Sequence, residues 1–163
     1  MKTLAKLMLF PALAVAFQSS PAIAASSTGN LAISAIVTAQ CVIQSAALPF
    51  GTYNSAAVQQ SAQIGVTCSN GTSYTVSLDA GAGTGANTTT RKLATSDNSS
   101  TLNYALYQDP ARSKSWGNSS GSDTLTSTGN GTLQSLPVYG YIPAGQTSKP
   151  GAYADVVSIT LAY

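Results

Sequence analysis

The chain has 163 residues, a length that suits one domain after removal of an export signal, and only 7% of its residues are charged. Once the first 24 residues are set aside, five Lys and Arg side chains balance five aspartates, and the sequence contains no His and no Glu. These counts exclude a basic nucleic-acid surface, which must neutralise phosphates, and they exclude catalysis by a Ser-His-Asp triad.

The first 24 residues have the pattern of a secretory signal peptide. Residues 1–6 are basic, residues 7–17 are almost all apolar, and Ala22 and Ala24 are small residues at the −3 and −1 positions of a cleavage site. The apolar run is too short to span a bilayer as a stable helix, although a retained membrane anchor is the alternative. We expect cleavage after Ala24 and export of a mature chain of about 139 residues.

The start of the mature chain alternates between apolar and other residues. Leu31, Ile33, Ala35 and Val37 occupy every second position, which is the period of a β-strand. On periodicity alone, residues 29–37 are favoured as an ordinary first strand of their own domain.

Two cysteines follow, Cys41 and Cys68. An even number of cysteines in an exported chain indicates a disulfide, which would stabilise the fold by roughly 3–4 kcal/mol in the chain-entropy model. Metal ligation and a redox pair are the alternatives, but the chain has neither a His nor a Cys-x-x-Cys spacing to support them.

Runs of period two continue to the end of the chain, and no segment has the 3.6-residue period of a helix. The clearest runs are residues 62–68, 74–78, 102–106 and 153–163. Clusters of Gly, Ser, Asn and Thr separate them, including Asn-Gly pairs that are typical of tight turns. The pattern predicts an all-β sandwich or barrel in a single domain.

None of the remaining motifs indicates a catalytic or cofactor site. The glycine-rich residues 81–85 lack the Lys-Ser/Thr end of a phosphate-binding loop, and the aspartates are too scattered for acid–base work. We therefore expect no enzymatic activity, no cofactor and no metal. Trp116 and the tyrosines could line a sugar-binding surface, but in an all-β protein core packing is favoured.

Six short motifs follow one another in a characteristic order. They are Tyr-Thr-Val-Ser-Leu-Asp-Ala-Gly at 74–81, Arg-Lys-Leu at 91–93, Leu-Asn-Tyr-Ala-Leu-Tyr-Gln-Asp at 102–109, Trp-Gly at 116–117, Val-Tyr-Gly-Tyr-Ile-Pro-Ala-Gly-Gln at 138–146, and Gly-Ala-Tyr-Ala-Asp at 151–155. With these motifs, the mature chain resembles the spore coat protein U domain, the domain of Csu-type archaic chaperone–usher pilus subunits.

The resemblance implies an incomplete immunoglobulin-like β-sandwich that lacks its last strand. In that family a periplasmic chaperone first fills the vacant groove. An N-terminal extension of another subunit then replaces the chaperone while an outer-membrane usher assembles the fibre. This exchange is donor-strand complementation, a form of β-augmentation.

The resemblance also implies roles for individual residues. Residues 1–24 would be the signal peptide, 25–38 the donor-strand extension and 39–163 the pilin domain, with the disulfide Cys41–Cys68 steadying a fold that is one strand short. The donor side chains would be Leu31, Ile33, Ala35 and Val37. The acceptor groove and chaperone contact would involve Val157, Ile159, Leu161 and Tyr163, with the Tyr163 carboxylate held by basic residues of the chaperone.

The function implied is that of a structural pilus subunit supporting surface attachment and biofilm formation. A shaft or minor subunit is favoured over a tip adhesin, which would need a further N-terminal domain. One alternative is a monomeric secreted β-sandwich, such as a carbohydrate-binding module, in which residues 29–37 pair within their own chain. Another is a small outer-membrane β-barrel. Two features count against a barrel, since the predicted strands are short and show no repeated outward apolar band.

Overall fold

The computed structural model describes residues 22–163, and its regular structure consists of β-strands. The strands are β1 (Cys41–Gln44), β2 (Val58–Cys68), β3 (Ser73–Leu78), β4 (Arg91–Ala94), β5 (Thr101–Tyr107), β6 (Leu125–Thr128), β7 (Leu133–Ile142) and β8 (Ile159–Ala162). Within residues 22–163 there is no helix capable of crossing a membrane. The predicted signal peptide, except for residues 22–24, lies outside the described residues.

The chain divides into two units, Met1–Ile36 and Val37–Tyr163. The described part of the first unit, residues 22–36, has no regular secondary structure and is exposed throughout. All eight strands of the described chain belong to the second unit.

The second unit contains two antiparallel sheets that share one core. The five-stranded sheet has the order β1-β2-β7-β5-β4, and the three-stranded sheet has the order β6-β3-β8. Buried residues from both sheets form a single cluster, with Ile64 and Val66 from β2 meeting Val76 and Leu78 from β3. The predicted all-β sandwich is confirmed, and the alternating runs in β2 and β3 point every second side chain into this core.

Aromatic side chains fill the space between the sheets. Trp116 is fully buried, and its indole Nε1–H donates to Val76 O at 3.0 Å while its backbone N–H donates to Leu106 O at 2.9 Å. Tyr74 and Tyr104 are also buried. These aromatics therefore pack in the core, the role favoured from the sequence.

The C-terminal segment is a strand over a shorter length than the period-two run of residues 153–163 predicts. β8 begins only at Ile159, because Ala154 instead bridges to Ala94 of β4 through hydrogen bonds of 2.9 and 3.0 Å. Residues 155–158 thus cross from the edge of the five-stranded sheet to β3. Asp79 holds the end of this crossing, since Ser158 N–H donates to Asp79 Oδ1 at 2.9 Å.

Candidate functional site

One seam of the sandwich is left open. Among residues 22–163, β8 pairs only with β3 and β1 pairs only with β2, so each has one edge without a hydrogen-bonded neighbour. Cα atoms of β1 and β8 approach within 8 Å of one another, but no ladder joins the two strands. Unpaired backbone N–H and C=O groups along such edges are ready to accept a further strand.

An apolar cavity of about 160 Å³ opens between the sheets beside this seam. Its lining includes Leu48 and Phe50 from the connection after β1 and Val157 and Ile159 from the C-terminal segment. Its floor consists of core residues of both sheets, including Ile64, Leu78, Leu106 and Val138. Of the described residues that line the cavity, Asp155 alone is charged.

The structure brings together three of the four residues predicted for the acceptor groove. Val157, Ile159 and Leu161 are half-buried on one face and pack against the core, and Ile159 and Leu161 pair with Leu78 and Val76 of β3. Tyr163 continues the same alternation but lies beyond β8 and is exposed. Because β8 pairs only with β3 among residues 22–163, its outer backbone edge remains available to a further strand.

The residues predicted to form the donor strand are almost fully exposed. Leu31, Ile33 and Val37 are 83%, 86% and 92% exposed, and Ala35 is exposed as well. Residues 22–40 contain no strand, so the ordinary first strand that periodicity favoured for residues 29–37 is not formed. All four apolar side chains are thus exposed in the part of the chain that the structure describes.

The disulfide Cys41–Cys68 fixes the start of β1. It joins the paired residues at one end of the β1–β2 ladder. Next to it, Ser69 N–H donates to Gln40 O at 2.8 Å, and Gln40 N–H donates to Ser69 Oγ at 3.1 Å. The point at which the chain leaves the sandwich toward its N-terminus is therefore held by covalent and hydrogen bonds.

Sequence reasoning missed a buried arginine whose hydrogen bonds reach the backbone of Leu78, a residue that lines the cavity. Arg91 is fully buried, and its guanidinium donates to four backbone carbonyls. The acceptors, with N···O distances, are Asp79 O at 2.8 Å, Thr88 O at 2.8 Å, Leu78 O at 3.1 Å and Trp116 O at 2.8 Å. Burial lowers the pKa of Arg91, while Tyr104, Asp79 and the other acidic groups nearby raise it. The only signal for this role was the Arg-Lys-Leu motif at 91–93, which carried no chemical interpretation.

A second polar cluster closes one end of the groove. Asp155 Oδ2 accepts a hydrogen bond from the Tyr104 hydroxyl at 2.7 Å, and Asp155 Oδ1 accepts from the N–H groups of Ala82 at 2.7 Å and Val156 at 2.8 Å. Burial, followed by the hydrogen bond to Asp155, raises the pKa of Tyr104 well above its ordinary value, so the phenol remains a donor. Gly81, at φ +79°, is required here because a Cβ would collide with the Asp155 carboxylate.

The comparisons with known proteins agree with this architecture. The family model described as Spore Coat Protein U domain matches residues 27–160. Protein U of Myxococcus xanthus is 33% identical over 160 residues, which cover 88% of this chain and 89% of Protein U.

A solved structure also matches. The CsuC–CsuE chaperone–tip adhesion subunit pre-assembly complex from the archaic chaperone–usher Csu pili of Acinetobacter baumannii aligns with a TM-score of 0.58 and 23% identity. The alignment covers 78% of this chain but only 40% of the matched chain. At this identity the likeness establishes the fold, an immunoglobulin-like sandwich.

Proposed function

Since the chain belongs to the spore coat protein U domain family, we propose that it is a structural subunit of a chaperone–usher pilus that polymerises by donor-strand complementation. Residues 25–38 of one copy would insert into the groove of another. The observation that carries the proposal is that one chain has both an apolar groove beside the unpaired edge of β8 and an uncovered alternating apolar segment.

The chemistry of the two parts is complementary. An inserted strand could pair its backbone with the outer edge of β8 while Leu31, Ile33, Ala35 and Val37 enter the space between the sheets. Such an insertion would remove on the order of 300 Å² of apolar surface from water, worth roughly 7 kcal/mol before ordering costs. Backbone hydrogen bonds along the strand would add to the barrier against release.

Before insertion, the groove needs protection, because an open edge beside an apolar cavity promotes aggregation. We propose that a periplasmic chaperone covers β8 and contacts Tyr163, and that an outer-membrane usher exchanges the chaperone for the next subunit. Cleavage of residues 1–24 would precede this step, and residues 39–163 would be the folded pilin domain. The assembled fibre would lie on the cell surface and support attachment and biofilm formation.

The proposal is tested by expressing the mature chain with and without residues 25–38, each alone and with a cognate chaperone. We expect the full mature chain to polymerise or aggregate when alone and to form a soluble one-to-one complex with the chaperone. The truncated chain should form the same complex but no polymer. A full-length chain that remains a stable monomer without chaperone would overturn the proposal and favour a monomeric secreted sandwich.

A further inference from the structure

One end of the groove is polar, because Asp155 lies there, just before the residues of β8. Asp155 lies two residues before Val157 and shares the face of the three residues that form the groove wall. It is half-buried, and it lines the same cavity as the apolar residues. A strand that follows the edge of β8 and then residues 155–158 would therefore pass beside this carboxylate.

The carboxylate retains capacity for one more hydrogen bond. A carboxylate has about four lone-pair sites. Asp155 uses two on Oδ1, for Ala82 N–H and Val156 N–H, and one on Oδ2, for the Tyr104 hydroxyl. A bulky apolar side chain placed against Oδ2 would exclude water from the remaining site, which is costly for a charged acceptor.

We propose that Asp155 and Tyr104 set the register of the inserted strand by accepting only a small residue beside the carboxylate. This inference rests on the proposed function. When the four apolar donor positions lie beside Val157, Ile159, Leu161 and Tyr163, the next position on the same face lies beside Asp155. That position is Gly29 if the donor runs parallel to β8 and Ala39 if it runs antiparallel.

Both directions therefore give the same physical result. Gly29 and Ala39 are small, so either leaves room for water at the free lone pair of Asp155 Oδ2. A shift by two residues along the groove in the direction of Asp155 would instead press an apolar side chain, Leu31 or Val37, against the carboxylate. The polar end thus disfavours that shift, whereas a uniformly apolar groove would tolerate it.

The test measures how fast a labelled peptide of residues 25–40 displaces the chaperone from the complex with the full mature chain. Peptides carrying Gly29→Leu or Ala39→Leu are compared with the parent and with Ala32→Leu, which adds a similar side chain on the opposite face. We expect either Gly29→Leu or Ala39→Leu to slow displacement at least about tenfold, and Ala32→Leu to change it by less than about twofold.

Substitution at Asp155 completes the test. In complexes carrying Asp155→Ala, the peptide that was slowed (Gly29→Leu or Ala39→Leu) should displace the chaperone about as fast as the Ala32→Leu peptide does. Asp155→Asn, which keeps the size of the side chain, serves if the alanine variant does not fold, and it should reduce the penalty. Equal rates for all peptides, or a penalty that persists in both Asp155 variants, would overturn the inference while leaving the proposed function in place. A parent peptide that never displaces the chaperone would overturn both.

Discussion

At the scale of single residues, the buried guanidinium of Arg91 holds together chain segments next to the groove. Arg91 binds the carbonyls of Leu78 and Asp79 at the end of β3 and of Trp116 in the connection after β5. It therefore ties the end of β3, where Leu78 lines the cavity, to the connection after β5. The planar guanidinium has five donors in a fixed fork and serves four carbonyls here, whereas an ammonium group has only three donors on a single nitrogen.

We expect Arg91→Lys to lower the free energy of unfolding by about 2–4 kcal/mol, because buried carbonyls lose their donors. The measurement is guanidinium unfolding followed by the fluorescence of Trp116, which is the single tryptophan. Lys92→Gln is the neighbouring control, since Lys92 makes one exposed hydrogen bond to Thr84 O. Equal unfolding midpoints for Arg91→Lys and the control would contradict a structural role for the guanidinium.

Asp79 makes the stability of the crossing segment depend on pH. Partial burial raises the pKa of Asp79, but hydrogen bonds from Gly81 and Ser158, with the charge of Arg91, outweigh it and hold the pKa below the ordinary value. The ionised carboxylate therefore contributes stability that is complete above the unfolded pKa, about 4, and is lost as the pH falls through the folded value.

The expected outcome is a loss of stability on acidification below about pH 4 that is smaller in Asp79→Asn than in the parent. Urea unfolding across a series of pH values measures it. The variant should be less stable at neutral pH, where its parent is fully ionised, and the difference should shrink in acid. Parallel pH profiles for the two proteins would show that Asp79 has no part in the dependence.

At the scale of elements, alternation identified strands well where one face is buried and failed where local chemistry interrupts it. β2 and β3 match the predicted runs closely, whereas β7 was not recognised from periodicity because it contains Pro137 and Gly140. Proline is tolerated because β5 pairs only with Tyr139–Tyr141, so β7 has one neighbour at Pro137. The tolerance of Pro137 depends on which strands pair with β7, and a single sequence does not reveal that pairing.

Gly140 illustrates how such a position also shapes the groove. A Cβ at Gly140 would lie 2.7 Å from Phe50 Cζ and 2.9 Å from Leu48 Cδ2. Both side chains line the groove. The absence of a side chain on β7 therefore lets the connection after β1 settle into the core and form one wall of the site.

Substitutions in the donor segment and in the acceptor groove should have different effects on assembly. We expect Ile33→Asp or Val37→Asp to block polymerisation while preserving the chaperone complex, because a charge cannot enter the apolar groove and the chaperone does not need the donor. Ile159→Asp should impair both, since Ile159 lies in the groove wall. The measurements are sedimentation of polymers and copurification with the chaperone.

A matched control comes from the other face of the same segment. Ile36 is as exposed as Val37 but falls out of the alternating set, so Ile36→Asp should polymerise nearly normally. If Ile36→Asp blocked polymerisation as strongly as Ile33→Asp, the division of the segment into inner and outer faces would be wrong. Loss of chaperone binding in Ile33→Asp would contradict the separation of roles.

At the scale of the whole molecule, the sequence predicted the sandwich because most of its strands bury one face within the same chain. It could not decide between donation and an ordinary first strand for residues 29–37, since both require the same period of two. The two alternatives differ in which chain covers the apolar side chains. In the donation hypothesis, the free energy of burying them arises only when a second copy is present. Among residues 22–163, the alternating segment is exposed and the edges of β1 and β8 are unpaired, which are the two features that the proposed donation requires.

The completed fold should be obtainable from one chain if the donor is supplied at the right place. β8 ends at Ala162, so a copy of residues 29–38 joined after Tyr163 by a short linker could return antiparallel along its free edge. With residues 25–38 removed from the N-terminus, we expect this fusion to be a monomer without chaperone. Its midpoint of thermal unfolding should exceed that of the truncated chain, because the donor is now present at millimolar effective concentration. Size-exclusion chromatography and thermal unfolding measure both effects, and a fusion carrying Ile33→Asp in the appended copy should aggregate. Aggregation of the unmodified fusion as well would mean that residues 29–38 do not complete this groove.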